Sequence, residues 1–245
     1  MTRDSGSAAP DSAAPVPGAP VPGPPAPVAP VPGAPVPGLR ERKKARTRQA
    51  LSDAAVALFL ERGFDGVSVA EVAAAAEVSK PTLFRYFPAK EDLVLHRFAD
   101  HEDESARVVT EGRGAGTAPL DALYAHLLDG LARRDPVTGL SDHPSVLAYL
   151  RLLYGTPALV GRLHAYRVRA EAALAAALAG DAAGPAAGAG PEARLAAGQI
   201  VTVLRVLAEE NAARIAGGET ADAVEADAVA QAGLAFRLLR DGLPY

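Results

Sequence analysis

Two helix starts stand eleven residues apart, at Ser68-Val69-Ala70-Glu71 and Ser79-Lys80-Pro81, and this spacing constrains the fold more than any other feature of the chain. Ser68 with Glu71 reads as a capping box: the hydroxyl accepts from the backbone N–H three residues on, and the carboxylate reaches back to the N-cap N–H. Ser79 is a second N-cap, with Pro81 in the first turn, where its missing N–H breaks no helical hydrogen bond. The first short helix therefore ends near Ala76, Glu77-Val78 makes the turn, and two short helices meet at a tight corner. Leu83 and Phe87 are four apart and share one face of the second helix, which leaves Lys80, Thr82, Phe84, Arg85 and Tyr86 on its other faces. A longer helix is expected ahead of this pair over 40–62, stopped by Gly63 and followed by Phe64 as a core anchor. That order is a helix-turn-helix, whose second helix enters the DNA major groove by its N-terminal residues.

The rest of the chain is punctuated as helices, without β-branched or aromatic runs of period two, so the fold class is all-α. A long helix is expected to start near Ala89, with Glu91 and Asp92 suited to its positive N-terminal end. Further helices are expected at 118–134, 144–154, 157–179, 191–216 and 221–241, with a flexible Gly/Ala connector at 180–191. The helix near 195–208 is apolar on several faces (Leu195, Ile200, Val201, Leu204, Val206), which predicts burial on more than one side. The last helix carries a small-residue stripe, Val224, Ala228, Ala232, Ala235 and Leu239, that admits close approach by another helix. Residues 1–38 repeat versions of APVPG; proline fixes φ and removes donors, and the stretch reads as a disordered, partly polyproline II tail. The expected organisation is a tail over 1–38, a helix-turn-helix domain over 39–98 and a helical ligand-binding and dimerisation domain over 99–245.

The net charge of −4 hides an asymmetry: residues 40–98 carry a net +3 and the remainder −7. A basic arm concentrates the positive charge, with Arg40, Arg42, Lys43, Lys44, Arg46 and Arg48 against Glu41 alone, and suits DNA phosphates. The chain has no cysteine, which excludes disulfides, thiolate metal sites and a cysteine nucleophile. No signal-peptide pattern and no apolar run of membrane-spanning length is present, so the expectation is a cytoplasmic protein without membrane contact. No phosphate loop, nucleophile elbow or paired-carboxylate motif appears, so no enzyme and no cofactor are expected. Of the five histidines, at 96, 101, 126, 143 and 164, no two have the i, i+4 spacing of a helical metal site, and His101-Glu102-Asp103-Glu104 reads as a solvated acidic helix face.

The segment TRQALSDAAVALFLERGFDGVSVAEVAAAAEVSKPTLFRYFPAKEDLV, residues 47–94, resembles the DNA-binding domain of TetR-type transcriptional regulators. The resemblance rests on the Gly63-Phe64 corner, the Ser68 cap, the Val78-Ser79 turn, Thr82-Leu83-Phe84, Tyr86-Phe87 and Lys90-Glu91. It implies that Lys80, Pro81 and Phe84 face base edges, while Ser68, Ser79, Thr82, Arg85, Tyr86 and Lys90 contact or approach phosphates, with Arg46 and Arg48 added by the arm. Two positions depart from the family pattern. Phe84 stands where tyrosine is common, which leaves apolar contact such as with a thymine methyl. Ala89 is a poor N-cap, so the next helix leans on its acidic residues.

In the C-terminal part, Tyr124, Tyr149, Tyr154, His164, Tyr166, Arg205 and Asn211 are the polar or amphipathic side chains placed to meet a ligand within a helical core. The sequence thus reads as a homodimeric regulator, a repressor that binds a palindromic double-stranded DNA operator and is released by a small-molecule effector. The rival reading is a constitutive architectural or recruiting protein that acts through its proline-rich tail.

Overall fold

The computed structural model describes residues 38–99, 101–180 and 188–242. The tail expected over 1–38, apart from Gly38, and most of the connector at 180–191 lie outside the described residues. Within them the chain forms ten α-helices and one 3-10 turn, with no strand.

Helix α1 (Leu39–Arg62) stops at Gly63, whose φ of 79° ends the helix while its N–H still bonds Phe59 O. Helices α2 (Val69–Ala75) and α3 (Lys80–Tyr86) follow as the two capped segments, and α4 (Lys90–Ala99) leaves the corner at Phe87–Ala89. The core beneath them holds Leu51, Val56, Phe59, Val72, Leu83, Phe87 and Leu93, all but excluded from solvent. Each such side chain contributes about 1.5–3 kcal/mol by leaving water. The same apolar cluster continues across position 98 into Tyr149, Leu153, Leu159 and Leu163, so the N-terminal head shares its core with α7 (Pro144–Gly155) and α8 (Pro157–Ala179).

The sequence places no helix between the one starting near Ala89 and 118–134, yet α5 (Glu104–Gly114) occupies that stretch. A turn separates it from α4, and Glu104 at its start folds inward: its carboxylate meets His101 Nδ1 at 2.7 Å and His126 Nε2, on α6 (Pro119–Ala132), at 3.2 Å. The expected solvated acidic face is corrected accordingly. Glu104 keeps 18% of its side-chain exposure, and Glu102 forms an ion pair with Arg169. Desolvation opposes the Glu104 charge, but the two imidazoles outweigh it and hold the carboxyl well below the usual range.

Helices α9 (Pro191–Ala216) and α10 (Ala221–Asp241) complete the domain. Helix α9 packs against both α8 and α10, as its several apolar faces predict, yet Leu195 stays 68% and Val206 50% exposed. The α10 stripe is spent inside the protomer: Ala228 and Ala232 are buried with Leu131 and Leu140 and pack against Tyr124, Leu128 and Leu207. Small side chains at these positions let α10 lie close to α6 and α9 of its own chain. Val229 and Leu234 are left outside. No helix among the described residues is long and apolar enough to cross a membrane.

Candidate nucleic-acid interface

The geometry of the α2–α3 corner is fixed by short-range hydrogen bonds. Ser68 Oγ accepts from Glu71 N–H, and Glu71 Oε2 accepts from Ser68 N–H at 2.8 Å, completing the capping box. The Ser68 N–H, followed by Arg62 at 2.6 Å, holds the Glu71 carboxyl down to about 2. At the turn, Glu77 takes φ of 53° and Val78 N–H returns to Ala73 O, which reverses the chain in two residues. Ser79 Oγ then accepts from Thr82 N–H at 3.2 Å and shares a hydrogen bond with Thr82 Oγ1 at 2.8 Å. Leu83 and Phe87 are fully buried, which sets the rotation of α3 about its axis. Lys80, Pro81, Phe84 and Arg85 consequently face solvent.

Phe84 stands 41% exposed on that face, an apolar ring held in water with Lys80 Nζ 5.9 Å from its centre. Arg85 lies over the ring of half-buried Tyr86 at 5.6 Å. The basic arm is not a separate strand of chain: Arg40, Arg42, Lys43, Lys44 and Arg46 form the exposed opening turns of α1. Arg48 differs from them, being half-buried with its guanidinium 5.2 Å from the Phe87 ring centre. Lys90 also turns inward. Its ammonium donates to Phe64 O and sits 4.2 Å from the centre of the Phe64 ring and 5.3 Å from that of Phe59. It thereby ties the start of α4 to the Gly63-Phe64 corner. The start of α4 is capped by Asp92, whose Oδ2 accepts from Ala89 N–H at 3.2 Å.

The seven C-terminal residues singled out from the sequence do not gather at one site. Tyr149 is buried, its hydroxyl donates to Val94 O at 2.8 Å, and burial pushes its pKa up. Tyr166 packs beside the same cluster, and burial raises its pKa too. Tyr124 lies against Phe236, ring centres 5.1 Å apart, while Tyr154 and His164 face solvent. Arg205 pairs with Glu209 on its own helix, and buried Asn211 donates to Thr138 O at 2.9 Å. A cavity of about 90 Å³ opens instead between α5, α6, α9 and the 3-10 turn (Pro136–Thr138), lined by the apolar Leu123, Leu127, Val137 and Leu204 and by the polar Glu104, His126, Arg133 and Asp135 among others. None of the seven lines it. Glu104 and His126 are 22 positions apart, so no local pattern joins them.

Residues 51–96 match the family model of bacterial regulatory proteins, tetR family. The chain is 37% identical over 123 residues to the HTH-type transcriptional regulator TcmR of Streptomyces glaucescens, a match that spans 50% of this chain and only about half, 54%, of that protein's length. Its fold is similar to that of NalD, the secondary repressor of the MexAB-OprM multidrug efflux pump in Pseudomonas aeruginosa, with a TM-score of 0.50 at 19% identity over 78% of this chain and 97% of the other. The capped helix pair and the outward-facing α3 agree with the family model, and residues 51–96 form a DNA-binding domain of the tetR-family type.

Proposed function

We propose that the chain is a dimeric repressor that reads a palindromic operator through α3 and is released by a small molecule. The observation that carries this reading is the outward face of α3, where Lys80, Pro81, Phe84 and Arg85 are exposed while Leu83 and Phe87 anchor the helix. Lys80 and Phe84 read base edges, the latter by apolar contact, and Ser68, Ser79, Thr82, Arg85 and Tyr86 meet phosphates. Ser68 spends a lone pair on a backbone N–H, which leaves its hydroxyl hydrogen to donate, and the bonded hydroxyls of Ser79 and Thr82 keep one hydrogen between them for the same use. The opening turns of α1 supply charge independent of sequence. Arg48 and Lys90 act chiefly by bracing the head, because both cations already lie against aromatic rings.

Dimerisation uses the outer faces of α9 and α10, where Leu195, Val206, Val229 and Leu234 are exposed. An isologous twofold matches a palindrome and sets half-sites about 34–36 Å apart or a multiple of that distance. The effector enters the cavity between α5, α6 and α9. At about 90 Å³ this space falls well below the roughly 300 Å³ that encloses a drug-sized ligand, so binding has to part the helices around it. Helix α4 carries that displacement to the head. Release by a hundredfold needs a coupling of only about 2.7 kcal/mol.

The test is selection of duplexes from a random pool by the full chain, followed by binding of Lys80→Ala and Arg85→Ala to the selected sequence. Lys80→Ala should relax base preference, and Arg85→Ala should weaken all sequences alike. Unchanged affinity and selectivity in both variants would exclude this docking.

A further inference from the structure

Helix α8 lies against α4 and meets both its ends with the same chemistry. Arg162 donates from Nε to Asp92 Oδ1 at 2.8 Å and from Nη2 to Asp92 Oδ2 at 3.0 Å. Seven residues on, Arg169 donates from Nε to Glu102 Oε1 at 2.8 Å and from Nη2 to Glu102 Oε2 at 2.9 Å. Asp92 is in the first turn of α4, and Glu102 lies just past its C-terminal end. Seven residues are two helical turns, about 10.5 Å, so both arginines project from one face of α8. Tyr166 stands between them and packs on the apolar cluster shared with the head, with the Arg169 guanidinium 4.3 Å from its ring centre.

We infer that Arg162 and Arg169 form a two-point clamp that sets the angle of α4, and that Arg162 is thereby a positioning residue for operator recognition. The inference rests on the operator-binding reading above. Three features separate the clamp from ordinary surface ion pairs. Both pairs are bidentate, and a planar fork meeting a carboxylate fixes orientation as well as distance. Asp92 is 8% exposed while its partner Arg162 is 40% exposed, so the carboxylate is the seated half and the arginine the reaching half. Asp92 Oδ2 also holds Ala89 N–H, the last residue of the corner that joins α3 to α4. A continuous path therefore runs from the Arg162 guanidinium through Asp92 to the end of the reading helix. Helix α1 grips α4 elsewhere, by Ser52 Oγ to Leu93 O at 2.8 Å and Arg97 to Asp53 at 3.0 Å, and so holds α4 within the head. The clamp fixes instead how that head is presented by the C-terminal helices.

The Arg169–Glu102 pair is partly exposed and contributes little to global stability. Removing Arg162 leaves the seated Asp92 carboxylate without its guanidinium and lowers stability as well, so the affinity ratio, and not the melting temperature, is the readout. The test uses Arg162→Met and Arg169→Met, which keep the apolar stem, and Arg162→Lys, which keeps the charge without the fork. The full chain is titrated with a duplex selected by the unaltered protein and with random-sequence duplex. Arg162→Met should cut the ratio of specific to non-specific affinity by about tenfold, within the usual span of coupling between sites, and leave the salt slope unchanged. Arg162→Lys should recover only part of the loss. A purely structural pair would lower the melting temperature and leave the ratio intact, which would overturn the inference. A second arm needs no DNA. Because the chain lacks cysteine, spin labels at Ala74→Cys on α2 and Val168→Cys on α8, diluted into unlabelled protein, report the head's orientation within one protomer. The distance distribution should broaden in the double variant Arg162→Met/Arg169→Met. An unchanged distribution sinks the clamp whatever the DNA result, whereas failure of the unaltered protein to select any duplex sinks the operator reading and leaves the clamp to this measurement.

Discussion

Replacing Gly139 by alanine should be among the most damaging single-methyl additions available in this chain. Gly139 follows the 3-10 turn with φ of 74°, where a non-glycine residue costs about 1–2 kcal/mol on backbone grounds alone. Its position makes matters worse: a Cβ there would stand 2.0 Å from Ala208 O, 2.9 Å from Ala208 C and 3.0 Å from Ala212 N, all backbone of α9. Carbon–oxygen contacts begin near 3.3 Å, so the loop has to retreat by more than about 1 Å. The Asn211 Nδ2 bond to Thr138 O is 2.9 Å long and cannot survive that retreat. Leaving this buried amide unsatisfied costs a further 1–3 kcal/mol or so. Leu140, fully buried next in the chain, is dragged from its seat as well. The total is about 3–5 kcal/mol, measurable as a fall in the urea midpoint at unchanged slope. Asn211→Ala should cost less, and the double variant should fall short of the sum because both changes act on one loop. A Gly139→Ala protein within about 0.5 kcal/mol of the parent would refute the close-approach argument.

Acid should weaken the head through its capping box. Glu71 has its pKa lowered from 4.5 to about 2, chiefly by the Ser68 N–H and then by Arg62. A carboxyl depressed on folding contributes stability that is complete above its unfolded pKa and is lost as pH falls through the folded one. The advantage of the parent over Glu71→Gln should therefore be full at neutral pH and shrink from about pH 4.5 toward 2; a constant offset across a pH series of melts would contradict it. At the outer faces of α9 and α10, Val206→Glu and Leu234→Glu should give folded monomers by mass measurement, because these side chains are 50% and 49% exposed in the protomer. Ala232→Glu should unfold the chain instead, since Ala232 is 1% exposed. A folded Ala232→Glu dimer would show that the α10 stripe is not committed within one chain.

The head was readable from sequence because each of its constraints is local. Ser68 and Glu71 are three positions apart, Ser79 caps the helix that Pro81 enters, and Leu83 and Phe87 are four apart on one face. Such pairs act within a helical turn, and no distant residue has to be known for their meaning to hold. Features that depend on remote partners were not readable. Asp92 is 70 positions from Arg162, and Gly139 touches backbone 69 positions away. Glu104 belongs in sequence to an acidic run, and only α6, which brings His126 beside it, turns it inward. Lys90 shows the same limit on a smaller scale. Its charge and position suit a phosphate, but the rings of Phe59 and Phe64 and the Phe64 carbonyl take up the ammonium first.

The last two helices show what periodicity can and cannot allocate. It identifies α9 as having more apolar surface than one contact can cover, and α10 as having a stripe of small residues, but it does not say which surface goes to which neighbour. Close packing decides this. Alanine at 228 and 232 lets α10 approach α6 and α9 of the same chain, where Leu131, Leu140 and Leu207 fill the space around them. The bulkier Val206, Val229 and Leu234 are then left outside, together with Leu195. Full burial of such a side chain is worth about 1.5–3 kcal/mol, and each of these retains about 40–70% of its exposure, so a second copy of the chain has roughly 1 kcal/mol or more to gain at each position, counted on both partners. The small residues pack within one chain, and the large ones form the surface that the proposed dimer would cover.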